Sequence, residues 1–144
     1  MQSAQTIDID DSQTPQAKPR LLVVDDVADN RAILIRRLVR RGFDVVEAIG
    51  GQDALDKIGA EAFDLVLLDI MMPGMDGIAL LEMIRKRYTN VPVILTTGQD
   101  NESLAVAAVR AGAASYVPKS ELTSRLGETI KQVLEVVNSD HDYG

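Results

Sequence analysis

From Leu21 onward, short apolar runs alternate with longer stretches in which apolar residues recur every three or four positions. The runs predict strands at Arg20–Val24, Phe43–Glu47, Leu65–Asp69, Val91–Thr97 and Ala114–Pro118. The central ones are almost wholly Val, Leu and Ile, as expected of strands covered on both faces. The periodic stretches predict helices near 29–41, 51–59, 77–88, 101–111 and 121–137. Asp29 or Asn30 is placed to cap the first, and Gly42 to end it. No hairpin signal joins successive runs, so the strands must be linked by crossovers, which are right-handed. The expected fold is α/β, a doubly wound five-stranded parallel sheet with helices on both faces. Its functional crevice lies beyond the carboxyl ends of the strands.

The ends of the chain break this pattern. Residues 1–19 are rich in Gln, Ser, Thr, Asp and Pro, a composition that cannot offset the entropy of ordering, and are expected to form a disordered leader. Residues 138–144 show no periodic apolar face and are expected to be a tail. One domain over residues 20–137 is left, and an output domain is not expected within this chain.

Composition narrows the function classes. The absence of cysteine removes disulfides, thiolate metal sites and cysteine nucleophiles. The net charge of −7 argues against direct nucleic-acid binding, since no basic surplus exists to release counterions. No uninterrupted apolar run reaches the length of a membrane span, and no signal peptide is evident, so a cytoplasmic location without membrane attachment is expected.

The chemistry sits at strand ends. Strand one runs into Asp25 and Asp26, and strand three ends in Asp69. Three converging carboxylates repel one another unless a cation sits among them, and oxygen-only ligands suit a hard ion such as Mg²⁺. Strand four ends in Thr96-Thr97, and Lys119 follows strand five. A hydroxyl and an ammonium so placed can neutralise phosphoryl oxygens while a carboxylate attacks phosphorus. Taken singly, each of these residues has an ordinary explanation as a turn former, a β-branched strand residue or a solvated lysine. Their joint placement on successive strands is what points to phosphoryl transfer.

VVDD at 23–26, DLVLLDIMMPGMDG at 64–77, LTTG at 95–98 and SYVPK at 115–119 resemble the response-regulator receiver family over about residues 20–137. The resemblance implies the flavodoxin-like strand order 2-1-3-4-5. It implies Asp69 as phosphoacceptor, Asp26 as a direct Mg²⁺ ligand, Asp25 acting through water, and the backbone carbonyl of Met71 as a further ligand. By the same resemblance Thr97 and Tyr116 are the switch residues, and Lys119 pairs with the phosphoryl group. The function implied is that of a phosphoacceptor module rather than an enzyme. It would be charged by the phosphohistidine of a sensor histidine kinase or histidine phosphotransfer protein, and read by a downstream effector or a fused output domain. A homodimer through the face of helix four, strand five and helix five is a further expectation.

One departure stands out. The family usually has proline directly after the lysine, often with a cis bond, whereas here Ser120 follows and the proline is Pro118. A cis Lys-Ser bond would cost about 3–4 kcal/mol, so a trans bond or an altered loop is expected. The nearest enzymatic alternative, a haloacid dehalogenase-type phosphatase, needs a second Asp two positions after the nucleophile, and Met71 stands there. A receiver-like module that signals by binding alone is the other alternative. Finally, Ile33 falls among the arginines of helix one on a helical wheel, and with Arg36 and Arg37 it is the candidate docking patch for the phosphoryl donor.

Overall fold

The computed structural model describes residues 18–72, 75–98 and 102–143. Residues 1–17 of the expected leader therefore lie outside the described residues. Five parallel strands form one sheet: β1 (Arg20–Val24), β2 (Asp44–Ala48), β3 (Leu65–Asp69), β4 (Val93–Thr97) and β5 (Ser115–Pro118). Their spatial order is 2-1-3-4-5, the expected doubly wound arrangement. Five helices connect them: α1 (Ala28–Arg40), α2 (Gly51–Ala60), α3 (Gly77–Arg87), α4 (Glu102–Arg110) and α5 (Leu122–Tyr143).

The period-two alternation of β1 sorts the core into two layers. Leu22 and Val24 join the cluster that α2 supplies with Leu55 and Ile58, α3 with Leu80, Leu81 and Ile84, and α4 with Ala108. Leu21 and Val23 join the opposite cluster with Leu34 and Leu38 of α1 and Leu126 and Ile130 of α5. Each such side chain withdrawn from water contributes about 1.5–3 kcal/mol, which holds the helices on both faces and leaves the strand ends as a rigid rim.

The local boundaries differ from expectation where side chains compete for backbone groups. Neither Asp29 nor Asn30 caps α1. The N-cap is Val27, without a side-chain cap, because the Asp25 carboxylate has already turned the chain by accepting from the Val27 N–H at 2.9 Å. Gly42 does end α1: it takes φ +97°, a left-handed conformation that side chains disfavour, and its N–H donates to the Val39 carbonyl at 3.0 Å. Phe43 is outside β2, since its N–H donates back to the Leu38 carbonyl. Beyond Val137 the backbone continues as α5 to Tyr143 rather than leaving the helix. No proline or glycine interrupts residues 128–143.

Two small elements complete the rim. Met71–Met72 and Met75–Asp76 pair antiparallel immediately after β3. A single 3₁₀ turn, Lys119–Glu121, joins β5 to α5. The described chain contains no cis peptide bond, so Lys119–Ser120 is trans, as its sequence predicts. No described helix is long and apolar enough to cross a membrane.

Candidate functional site

Parallel register brings the strand ends to one edge. Asp69 lies opposite Thr96, and Thr97 opposite Pro118, while the Asp25 N–H donates to Ala48 at the end of β2. Asp25, at 1% exposure, and Asp69, at 3%, are buried at this rim, and Asp26 beside them is exposed. One oxygen from each of the three carboxylates lies within 4.8 Å of the others.

The two buried aspartates are held alike. Asp25 accepts from the Val27 N–H at 2.9 Å, and Asp69 from the Met71 N–H at 3.0 Å. Each carboxylate thus closes a turn over the two residues that follow it, and its second oxygen faces the crevice. There Lys119 Nζ donates to Asp69 Oδ2 at 3.0 Å and to Asp25 Oδ2 at 3.3 Å. The lysine arrives from β5 despite the serine after it, because Pro118 ends the strand and the trans 3₁₀ turn leaves the side chain directed over the sheet edge.

The electrostatics show a shortage of positive charge. Burial pushes the Asp69 carboxyl above its ordinary value, and the charge of Asp25 adds to this, against the opposing Met71 N–H and Lys119. Burial alone would lower Lys119, but its bonds to Asp69 and the charges of Asp69 and Asp25 outweigh that and raise it. Lys119 therefore stays protonated, and one ammonium faces three carboxylates. A divalent cation among these oxygens would complete the balance, and oxygen-only donors match Mg²⁺. The donor set fits that ion.

Thr97 is fully buried at the end of β4. Tyr116 of β5 is half-buried and packs against the α2–α3–α4 core layer. The Met71 side chain is largely exposed. Ile33 stands 48% exposed on α1, flanked by exposed Arg36 and Arg37. Arg37 donates to the Thr123 hydroxyl of α5. A groove of about 170 Å³ runs between α1 and the start of α5, lined by Asn30, Ile33, Arg37, Lys119 and Leu122 among others. Lys119 thus borders both the acidic crevice and this groove, whereas Arg36 does not line it.

Sequence reasoning missed Arg31. Its guanidinium donates to the Asp25 carbonyl and to Glu47 at the end of β2, each at 2.8 Å. Nothing in the local pattern distinguishes it from its arginine-rich neighbours, since its partners are a backbone group and a residue on another strand.

Comparison with known proteins agrees with this geometry. The model of the response regulator receiver domain family matches residues 21–131. The transcriptional activator protein PfeR of Pseudomonas aeruginosa is 41% identical over 119 residues, which are 80% of this chain and 39% of that protein. The chain therefore spans about two fifths of the length of this relative. Among solved structures, the response regulator TrrA of Thermotoga maritima, determined with Mg²⁺ and BeF, superposes with a TM-score of 0.73 at 35% identity, covering 80% of this chain and 98% of that one. A CheY-like receiver domain protein of Methanospirillum hungatei gives a TM-score of 0.81 at 31% identity, covering 86% and 99%. NtrX of Brucella abortus gives 0.82 at 33% identity, covering 88% of this chain but 29% of that one. An acidic trio at the strand ends, a lysine bonded across it and a family match over the whole sheet place this chain in the response regulator receiver domain family, the phosphoacceptor switch modules of two-component signalling.

Proposed function

We propose that the domain accepts a phosphoryl group on Asp69 from a phosphohistidine donor, with Mg²⁺ bound at Asp25, Asp26 and Asp69 and the Met71 carbonyl. The observation that carries this reading is the placement of Lys119 Nζ on Asp69 Oδ2 inside the acidic trio. In the transfer, a carboxylate oxygen of Asp69 forms the new bond to phosphorus as the bond from phosphorus to the imidazole nitrogen breaks. Lys119 and the buried Thr97 supply positive charge and a hydroxyl to the incoming oxygens. Bound Mg²⁺ would neutralise further charge on the phosphoryl group. Asp25 already spends its oxygens on Val27 and Lys119, which favours Asp26 as the direct ligand and Asp25 as one acting through water.

Receiver domains take their phosphoryl group from histidine kinases or phosphotransfer proteins and pass the signal to downstream effectors. For this chain the donor docks on the α1–α5 groove, with Ile33 as the apolar contact and Arg36 and Arg37 beside it. The groove opens next to Lys119, which favours this face. Phosphorylation then draws Thr97 toward the new charge and Tyr116 inward, changing the face of α4, β5 and α5 that an effector or a second copy reads.

The test is to incubate the protein with Mg²⁺ and acetyl phosphate and weigh it intact beside Asp69→Asn. A gain of about 80 Da in the wild type alone supports the reading. No gain in the wild type overturns it in favour of a module that signals by binding.

A further inference from the structure

We propose that Arg31 is a positioning residue for the Mg²⁺ site, acting through the backbone of Asp25 and anchored by Glu47. The inference rests on the Mg²⁺ reading above and adds a residue that touches neither the ion nor the phosphoryl group.

Arg31 lies in the first turns of α1, and its side chain is 11% exposed. Nη1 donates to the Asp25 carbonyl and Nε to Glu47 Oε1, both at 2.8 Å. One planar group therefore ties the end of β1 to the end of β2 from a helix that packs over both. Glu47 is itself tethered, since Lys57 of α2 donates to its carbonyl at 2.5 Å.

The Asp25 carbonyl belongs to the peptide that joins Asp25 to Asp26. A peptide unit is planar, so fixing its oxygen fixes the rotation of the whole unit and the N–Cα bond from which Asp26 departs, while the turn that Asp25 closes on the Val27 N–H limits the rotation that remains. The other carboxylates have their own restraints: Asp25 is held by Val27 and Lys119, and Asp69 by Met71 and Lys119. Among the described residues the exposed Asp26 carboxylate has no such bond. Its aim comes from the backbone, which Asp25 restrains by closing the turn to Val27 and which Arg31 restrains from α1 at the Asp25 carbonyl.

A group behind a metal ligand is worth about 10–100-fold in metal affinity. Asp26 is held through one peptide rather than directly, so the lower end applies. Mg²⁺ binding to wild type, Arg31→Gln, Arg31→Lys and Glu47→Ala, measured by titration calorimetry, separates the roles. The expected result is a dissociation constant raised about tenfold in Arg31→Gln, less in Glu47→Ala, and partly restored in Arg31→Lys, whose single nitrogen keeps the charge but lacks the separate planar donors that Arg31 aims at its two acceptors. The rate of phosphorylation by acetyl phosphate should fall at low Mg²⁺ and recover at saturating Mg²⁺.

A guanidinium that only braces the fold would lower the urea midpoint and leave the Mg²⁺ dissociation constant unchanged; that outcome overturns the proposal. Should Arg31→Gln fail to fold, Glu47→Ala decides alone, and an unchanged constant overturns it equally. Wild-type protein that binds no Mg²⁺ would instead overturn the underlying function.

Discussion

Gly77 is the position where one methyl group should do the most damage. It opens α3 and lies against the backbone that carries the acidic site. A Cβ there would stand 2.6 Å from both Cα and O of Ile70 and 3.0 Å from its carbonyl carbon. Ordinary contact begins near 3.4 Å, so α3 and the segment after β3 must separate by roughly 0.8 Å. Neither side yields easily, because the atoms struck are backbone and Ile70 is itself buried. Forcing a methyl into such a place costs about 1–3 kcal/mol, while the helical preference of Ala over Gly returns at most about 1 kcal/mol. Because the atoms struck at 2.6 Å are backbone, the upper part of that cost, about 2–3 kcal/mol, applies, so Gly77→Ala should lose about 1–2 kcal/mol, which at an m-value of about 2 kcal/mol/M lowers the urea midpoint by roughly 0.5–1 M. Ile70 stands between Asp69 and Met71, so the same variant should need more Mg²⁺ for half-maximal phosphorylation by acetyl phosphate. A midpoint equal to or above the wild type would mean that helix preference decides, and would refute the argument.

Two further predictions follow from the site's charges and caps. In Mg²⁺-free buffer Asp69→Asn should have a higher urea midpoint than wild type at pH 7, because Asp69 is buried with its carboxyl pKa raised. The sign follows from proton counting: between the ordinary carboxyl value of 3.8 and the raised one, the folded state holds more protons than the unfolded state. This group therefore lends stability as pH falls through that window, and the gap between variant and wild type should narrow there; a lower midpoint for the variant at pH 7 contradicts this. Asp76 caps α3 by accepting from the Ile78 and Ala79 N–H groups at 2.9 and 3.3 Å, so Asp76→Ala should cost about 1 kcal/mol in chemical denaturation, and no loss would show the cap to be idle.

The strands could be read from the sequence because their apolar runs end sharply at charged or glycine residues, and those ends are the site. The placement of Asp25, Asp69, Thr97 and Lys119 at one edge was legible for the same reason: a parallel sheet brings its carboxyl ends together whatever the loops do. Lys119 illustrates this, reaching Asp69 with serine where the family has proline. The start of α1 was not legible, because the Asp25 side chain took the Val27 N–H and moved the helix start ahead of Asp29. Arg31 was hidden for a different reason. Its meaning depends on Glu47 and on a carbonyl of β1, a meeting set by the crossing of helix and sheet rather than by spacing along the chain.

The two outer strands carry a consequence of another kind. An open sheet leaves an unpaired edge on each side, and such edges invite pairing with a second chain. β2 places charged Asp44 and Glu47 along its edge. At the opposite border β5 is only four residues long and ends in Pro118, which has no N–H to offer. Both borders are thus guarded against growth by strand addition. Crowded copies of the domain should stay separate unless a side-chain surface is made complementary. Glu47 then serves two ends at once, bracing the guanidinium of Arg31 and keeping a sheet border closed to strangers.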